Sequence, residues 1–193
     1  MYIRIIFLLC CLLVVAAGVR AEEFGYAGDA SGIVSALTAK SPLTRGFAPT
    51  RGVKFVRREA NRDVVETVQI PVTPKSGGTV NLSVRFDSGK NTIRRESYPL
   101  LNELAKALQA PELASSMVSV NGHTDSDGDP DKNRALSLGR ALAVRKYLVD
   151  KRGIAPKRLR ALGFGAEVPL RPNTSKENKD LNRRVEIALA MKE

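Results

Sequence analysis

The chain predicts an α/β sandwich, a mixed four-stranded sheet in β-α-β-α-β-β order with its helices packed on one face. Three observations point there. Val80, Leu82, Val84 and Phe86 alternate with Asn81, Ser83 and Arg85, and Val185, Ile187 and Leu189 alternate with Glu186 and Ala188, the period of half-buried strands. Leu100, Leu101, Leu104, Ala105 and Leu108 recur at helical spacing, and a second helix is expected from Lys132 to Lys151. Short apolar runs at Met117 to Val120 and Leu159 to Phe164 supply the two middle strands. Strands separated by helices, then a closing strand, make a two-layer fold.

The N-terminus reads as a signal peptide over residues 1–21. Met1 to Arg4 carry one positive charge, Ile5 to Ala17 are uninterruptedly apolar, and Val19-Arg20-Ala21 suits a cleavage site. The apolar run is short of the roughly 20 residues that span a bilayer comfortably; a retained N-terminal anchor is the alternative. Phe7-Leu8-Leu9 before Cys10 lacks the small residues of a lipoprotein signal. Cys10 and Cys11 both fall in this leader, so a disulfide framework, a thiolate metal site and a cysteine nucleophile are excluded downstream.

Residues 22–78 read as an N-terminal extension. Glu22 to Ala48 is a glycine-, alanine-, serine- and threonine-rich linker with one short helix near Ile33 to Thr38. Gly52 to Val56 and Asp63 to Thr73 are strand-like, pairing as a hairpin across Arg57 to Arg62 or adding an edge to the main sheet. Pro71 and Pro74 argue against a central strand, and Lys75-Ser76-Gly77-Gly78 is a hinge.

Within the domain expected at residues 79–193, Asp87-Ser88-Gly89 ends the first strand, Pro99 fits only a first helical turn, and Pro111 stops that helix. The second helix ends where Gly153 can take a left-handed cap. Val168 to Asp180 reads as a loop, and Asn182-Arg183-Arg184 as the opening of the last strand.

The chain counts 31 Lys and Arg against 20 Asp and Glu; the leader holds two of the arginines and no acid, which leaves +9 downstream. Such a balance suits a polyanionic surface, and export argues against nucleic acid. Against this background four aspartates, Asp125, Asp127, Asp129 and Asp131, cluster between the second strand and the second helix. Arg140 lies on that helix in a row with Leu136, Val144 and Leu148, so it interrupts an apolar ridge. A carboxylate at Asp125 and a guanidinium at Arg140 could hold an ammonium and a carboxylate of one ligand through charge-assisted hydrogen bonds. The plainer alternative is a loop-to-helix salt bridge with Arg140 exposing its head.

Other chemistries fit less well. Asp125, Asp127 and Asp129 match the first ligand positions of an EF-hand loop, but Pro130 stands at its glycine and Leu136 at its glutamate. His123 is the single histidine, which rules out a histidine zinc triad, and its place after a strand suggests a packed, hydrogen-bonded side chain. No glycine-flanked serine elbow is present, so catalysis is the weaker class and no catalytic residue is assigned; no metal or cofactor is assigned either, a calcium site of another type on the loop aspartates being the alternative. Arg145, Lys146, Lys151, Arg152, Lys157, Arg158 and Arg160 read as a solvated face, with a polyanion-steering patch as the sharper option.

From Val80 to Leu189 the chain resembles the OmpA-like C-terminal peptidoglycan-binding domain family. The match rests on Arg85-Phe86-Asp87-Ser88, Gly122-His123-Thr124-Asp125, the run from Asn133 to Ala141, Gly163-Phe164-Gly165, and Asn182 to Ile187. The resemblance implies a non-catalytic domain that binds the stem peptide of peptidoglycan at its meso-diaminopimelate residue. It sets Asp125 and Arg140 on the pair that holds that zwitterionic end. By the same match Asp87 and Ser88 would line the pocket, Thr124 and Asn133 would support its loop, and Arg184, with Arg183 less surely, would add positive charge. A periplasmic protein is expected. Attachment to the outer membrane is an option that the resemblance does not carry over, because neither the membrane barrel nor the lipoprotein signal of better-known members is read here. Residues 22–78, which find no counterpart in the family, are expected to tether an envelope partner or another surface. The alternative is an anchoring subunit of a membrane-embedded stator or secretion complex with an uncleaved N-terminal helix.

Overall fold

A computed structural model describes residues 27–39, 50–59, 62–71 and 78–189. The leader, with its cysteines, and most of the proposed hinge lie outside the described residues. The elements are α1 (Ala30–Thr38), β1 (Thr50–Glu59), β2 (Arg62–Pro71), β3 (Thr79–Leu82), α2 (Tyr98–Gln109), β4 (Val118–Gly122), α3 (Pro130–Arg152), β5 (Leu159–Gly163), α4 (Lys176–Asn182) and β6 (Val185–Leu189).

The four-stranded sheet has the order β3-β6-β4-β5, with β4 and β5 parallel and β6 antiparallel to both its neighbours. This is the mixed α/β sheet that the strand and helix periods predict. Two cross-strand rows, Val80–Ile187–Val120–Ala161 and Leu82–Val185–Gly122–Gly163, share one face, and α3 lies directly on the second. The core joins these to Leu101, Leu104 and Leu108 of α2 and Ala141, Val144 and Leu148 of α3.

The structure revises several local expectations. The first strand stops at Leu82, opposite Val185 where β6 begins, so beyond it no neighbouring strand remains to pair with. Backbone groups that follow find other partners: Arg85 N donates to Ser97 Oγ at 2.7 Å, and Phe86 bridges Ile93. The segment read as a loop from Val168 to Asp180 contains most of α4. Its N-cap, Ser175, accepts from Asn178 N, and Asn182 closes α4 instead of opening the last strand. Along α3 the buried row is Asn133, Ser137, Ala141, Val144 and Leu148, so Leu136 and Arg140 flank the ridge. Gly153 takes the left-handed cap expected of it, at φ 69°.

The two N-terminal strands pair with each other, from Thr50 opposite Pro71 to Glu59 opposite Arg62, as a separate two-stranded sheet and not as an edge of the main one. The helix expected near Ile33 is present as α1, but it is no linker segment. It packs against α2 and β3, and Ile33 and Leu37 are fully buried in the core of the sheet domain.

Close approach of α3 to the sheet depends on glycine. A Cβ on Gly122 would lie 2.1 Å from Ser137 O, and one on Gly163 would lie 2.6 Å from Leu138 N. Both obstacles are backbone and cannot rotate away. Gly122→Ala is therefore expected to push α3 off β4 at a cost of about 1–3 kcal/mol, read as a lower urea midpoint. An unchanged midpoint would mean that α3 is not seated as closely as this.

Candidate functional site

The site forms where β4 runs into α3. Asp129 caps the helix by accepting from Lys132 N at 2.9 Å, and Pro130 suits the first turn. Asn133, buried one turn in, donates through Nδ2 to Asp127 O at 2.8 Å and Asp125 O at 3.4 Å. Thr124 is buried, and its amide donates to Gly165 O at 2.9 Å. Thr124 and Asn133 thus brace the loop that presents Asp125.

Asp125 is only 8% exposed. Its Oδ1 accepts from Asp127 N at 3.1 Å, and its Oδ2 pairs with Arg183 Nη1. Arg183 also pairs with Asp180, one turn back along α4. Arg140, half-buried, stacks its guanidinium 5.1 Å from the Phe86 ring centroid and donates from Nε to Lys90 O at 3.2 Å. Burial and the nearby Arg183 press the Arg140 pKa down, while Asp125 pulls the other way. The guanidinium stays charged in the physiological range. Arg140 has no carboxylate partner among the described residues, so the loop-to-helix salt bridge weighed from sequence is made by Arg183 instead.

The remaining candidates divide. Asp87 and Ser88 lie in the 87–92 turn, whose Lys90 carbonyl meets Arg140, but the Asp87 carboxylate faces Arg94 Nε at 3.4 Å and Ser88 is exposed. Beside this turn, Lys90, Asn91 and Thr92 face Ala135, Leu136 and Gly139 across a shallow groove of about 330 Å³. Arg184 is buried elsewhere: its Nε donates to Asn81 Oδ1 at 2.9 Å and its Nη2 to Val168 O at 3.3 Å. The order of the two arginines is thus reversed, with Arg183 at Asp125 and Arg184 spent on the sheet.

Sequence reasoning missed the part played by α4. Lys179 pairs with Asp127 at 2.8 Å, and buried Asn182 accepts from the amides of Leu170 and Arg171 and donates to Arg171 O and Asn173 Oδ1. A serine at 175 with Glu177 and Asn178 behind it is a helix-start signal that the prolines and asparagines nearby obscure. The basic stretch is also less free than expected. Arg145 donates to Leu159 O and Pro156 O, and Arg158 to Ser116 O, Leu108 O and Leu113 O.

His123 is packed, stacked on Phe164 at 5.3 Å, but neither ring nitrogen has a hydrogen-bond partner among the described residues; Nε2 lies 4.0 Å from Glu186 Oε2. Burial, reinforced by the charge of Arg184, holds its pKa well below the usual histidine range. The folded protein then binds fewer protons than the unfolded chain below about pH 6.5, so stability is complete above that pH and falls as acid is added. The slope should approach about 1.4 kcal/mol per pH unit. Urea midpoints at pH 7.5 and 5.5 should separate in the native protein and converge in His123→Phe; the same acid loss in both would exonerate the histidine.

The OmpA family model matches residues 85–183, more than half of the chain. The chain belongs to the OmpA family. Over 107 residues it is 38% identical to outer membrane porin F of Pseudomonas aeruginosa, covering 55% of this chain and 30% of that protein. It is 35% identical over 133 residues to the probable lipoprotein YiaD of Escherichia coli K12, covering 67% of this chain and 59% of that one. Among solved structures, a putative MotB-like protein from Desulfovibrio vulgaris superposes with a TM-score of 0.51 at 30% identity, over 60% of this chain and 74% of that one. The match thus spans about a third of the porin's length, and those relatives are envelope proteins by name. The OmpA-family segment carries Asp125, Arg140 and Arg183, whereas α1, β3 and β6 complete the fold around it.

Proposed function

We propose that this protein binds peptidoglycan without catalysis, through the meso-diaminopimelate of the stem peptide, and so anchors an envelope protein or assembly to the wall from the periplasm. The observation that carries this reading is a nearly buried carboxylate, Asp125, on the loop that leads into α3, together with a half-buried guanidinium on that helix, Arg140, that has no carboxylate partner among the described residues. Diaminopimelate ends in an ammonium and a carboxylate on one carbon, and the two groups meet that pair in sign and number. Membership of the OmpA family and its envelope relatives support the same ligand class. Two charge-assisted contacts with packing correspond to on the order of −4 to −8 kcal/mol, or micromolar to millimolar affinity, and a repeating polymer raises it by rebinding.

The protein should sediment with insoluble peptidoglycan. Retention in the supernatant at low salt would overturn the reading. Likeness to the MotB-like structure favours a second version, in which the chain is the wall-anchoring subunit of a membrane-embedded stator or secretion complex. Finding Met1 to Ala21 still attached to the cellular protein would select that version, and their removal would select the exported one.

A further inference from the structure

Arg183 occupies the face of Asp125 that a ligand ammonium would need. Asp125 has one oxygen committed to Asp127 N and the other to Arg183, so an incoming ammonium must share or take the second. Two cations on one carboxylate also repel each other. Arg183 is equipped to yield. Its second ion pair is to Asp180 on its own helix, its side chain is 36% exposed, and it stands at the C-terminal end of α4. α4 itself remains held to the loop by Lys179 on Asp127, and the segment before it by Asn173 Oδ1, which accepts from Ser126 N and from Asn182 Nδ2, so Arg183 can move without the segment detaching.

We propose that Arg183 is an internal competitor for the ammonium site, displaced from Asp125 onto Asp180 when ligand binds, and that it thereby sets how strongly the protein selects ligands bearing that ammonium. This rests on the reading of Asp125 and Arg140 as the ligand pair. An ordinary ligand contact would behave oppositely: an arginine that gripped a ligand carboxylate would weaken binding when removed.

The test is calorimetric titration of the protein with two stem peptides, one containing meso-diaminopimelate and one in which the distal ammonium is replaced by hydrogen. Arg183→Gln should bind the diaminopimelate peptide about tenfold more tightly and leave the ammonium-free peptide within about twofold of the native value. Asp180→Asn keeps the arginine but removes its refuge, so it should bind the diaminopimelate peptide several-fold more weakly, with the ammonium-free peptide again little changed. Melting curves establish that each variant is folded, and Asp180→Asn keeps the test alive if Arg183→Gln is not. Equal weakening of both peptides in Arg183→Gln, or no change in either variant, would overturn the proposal. If Asp125→Ala also left diaminopimelate binding intact, the ligand pair itself would be wrong; if it abolished binding, only the competition would be.

Discussion

Asp125→Ala and Arg140→Ala are each expected to lower affinity for a diaminopimelate stem peptide about a hundredfold or more, enough to leave the protein in the supernatant of a peptidoglycan pull-down. The magnitude follows from burial. Truncating one partner of a buried, hydrogen-bonded charge pair costs about 2–5 kcal/mol, because the ligand charge opposite is then desolvated without compensation. Asp125 is almost wholly buried, and Arg140 has one side against Phe86, so neither variant can be rescued fully by water. The two should also differ. Arg140→Ala should tolerate loss of the ligand carboxylate, whereas Asp125→Ala leaves Arg183 to Asp180 and should tolerate loss of the ammonium. Native retention by both variants on the polymer would reduce the pair to a structural feature.

A second large effect concerns the boundary of the domain. Leu37→Ala, in a helix that composition alone assigns to a linker, is expected to destabilise the whole sheet domain by about 2–5 kcal/mol. Leu37 is fully buried in a helix that packs on α2, β3 and β6, and Gly78 enters β3 so close to α1 that an added Cβ would lie 2.2 Å from Ala36 O. Loss of Leu37 therefore opens a cavity in the shared core and not in a separate appendage. Chemical denaturation read by circular dichroism would show one cooperative transition moved to lower urea. A native-like transition would mean that α1 is dispensable, and that a fragment starting at Gly78 is a fair substitute for the chain.

What could be read in advance followed from the strength of each local signal. The alternation of Val80 and Leu82, or of Val185 and Ile187, has one structural meaning, and both segments became strands of the main sheet. The extension of the first strand to Phe86 failed because strand length is decided by a partner, and β6 supplies none beyond Val185. Arg140 was placed on the right helix but in the wrong row. A spacing of four also links Asn133, Ser137 and Ala141, a neighbouring row whose polar members hide a buried face. Polar residues that serve as internal supports read as surface in one dimension: Asn182 and Ser137 are both fully buried. The exchange of roles between Arg183 and Arg184 has the same cause, since adjacent strand-like residues differ only in facing, and α4 turns Arg183 toward Asp125.

The measurement closest to the central claim is a calorimetric comparison of two stem peptides, one with meso-diaminopimelate and one with lysine in its place. Lysine keeps the ammonium and lacks the distal carboxylate, so only the contact to Arg140 differs. The diaminopimelate peptide should bind with micromolar to millimolar affinity and the lysine peptide at least about tenfold more weakly, the difference vanishing in Arg140→Ala. Equal affinity of the native protein for both peptides would contradict the assignment.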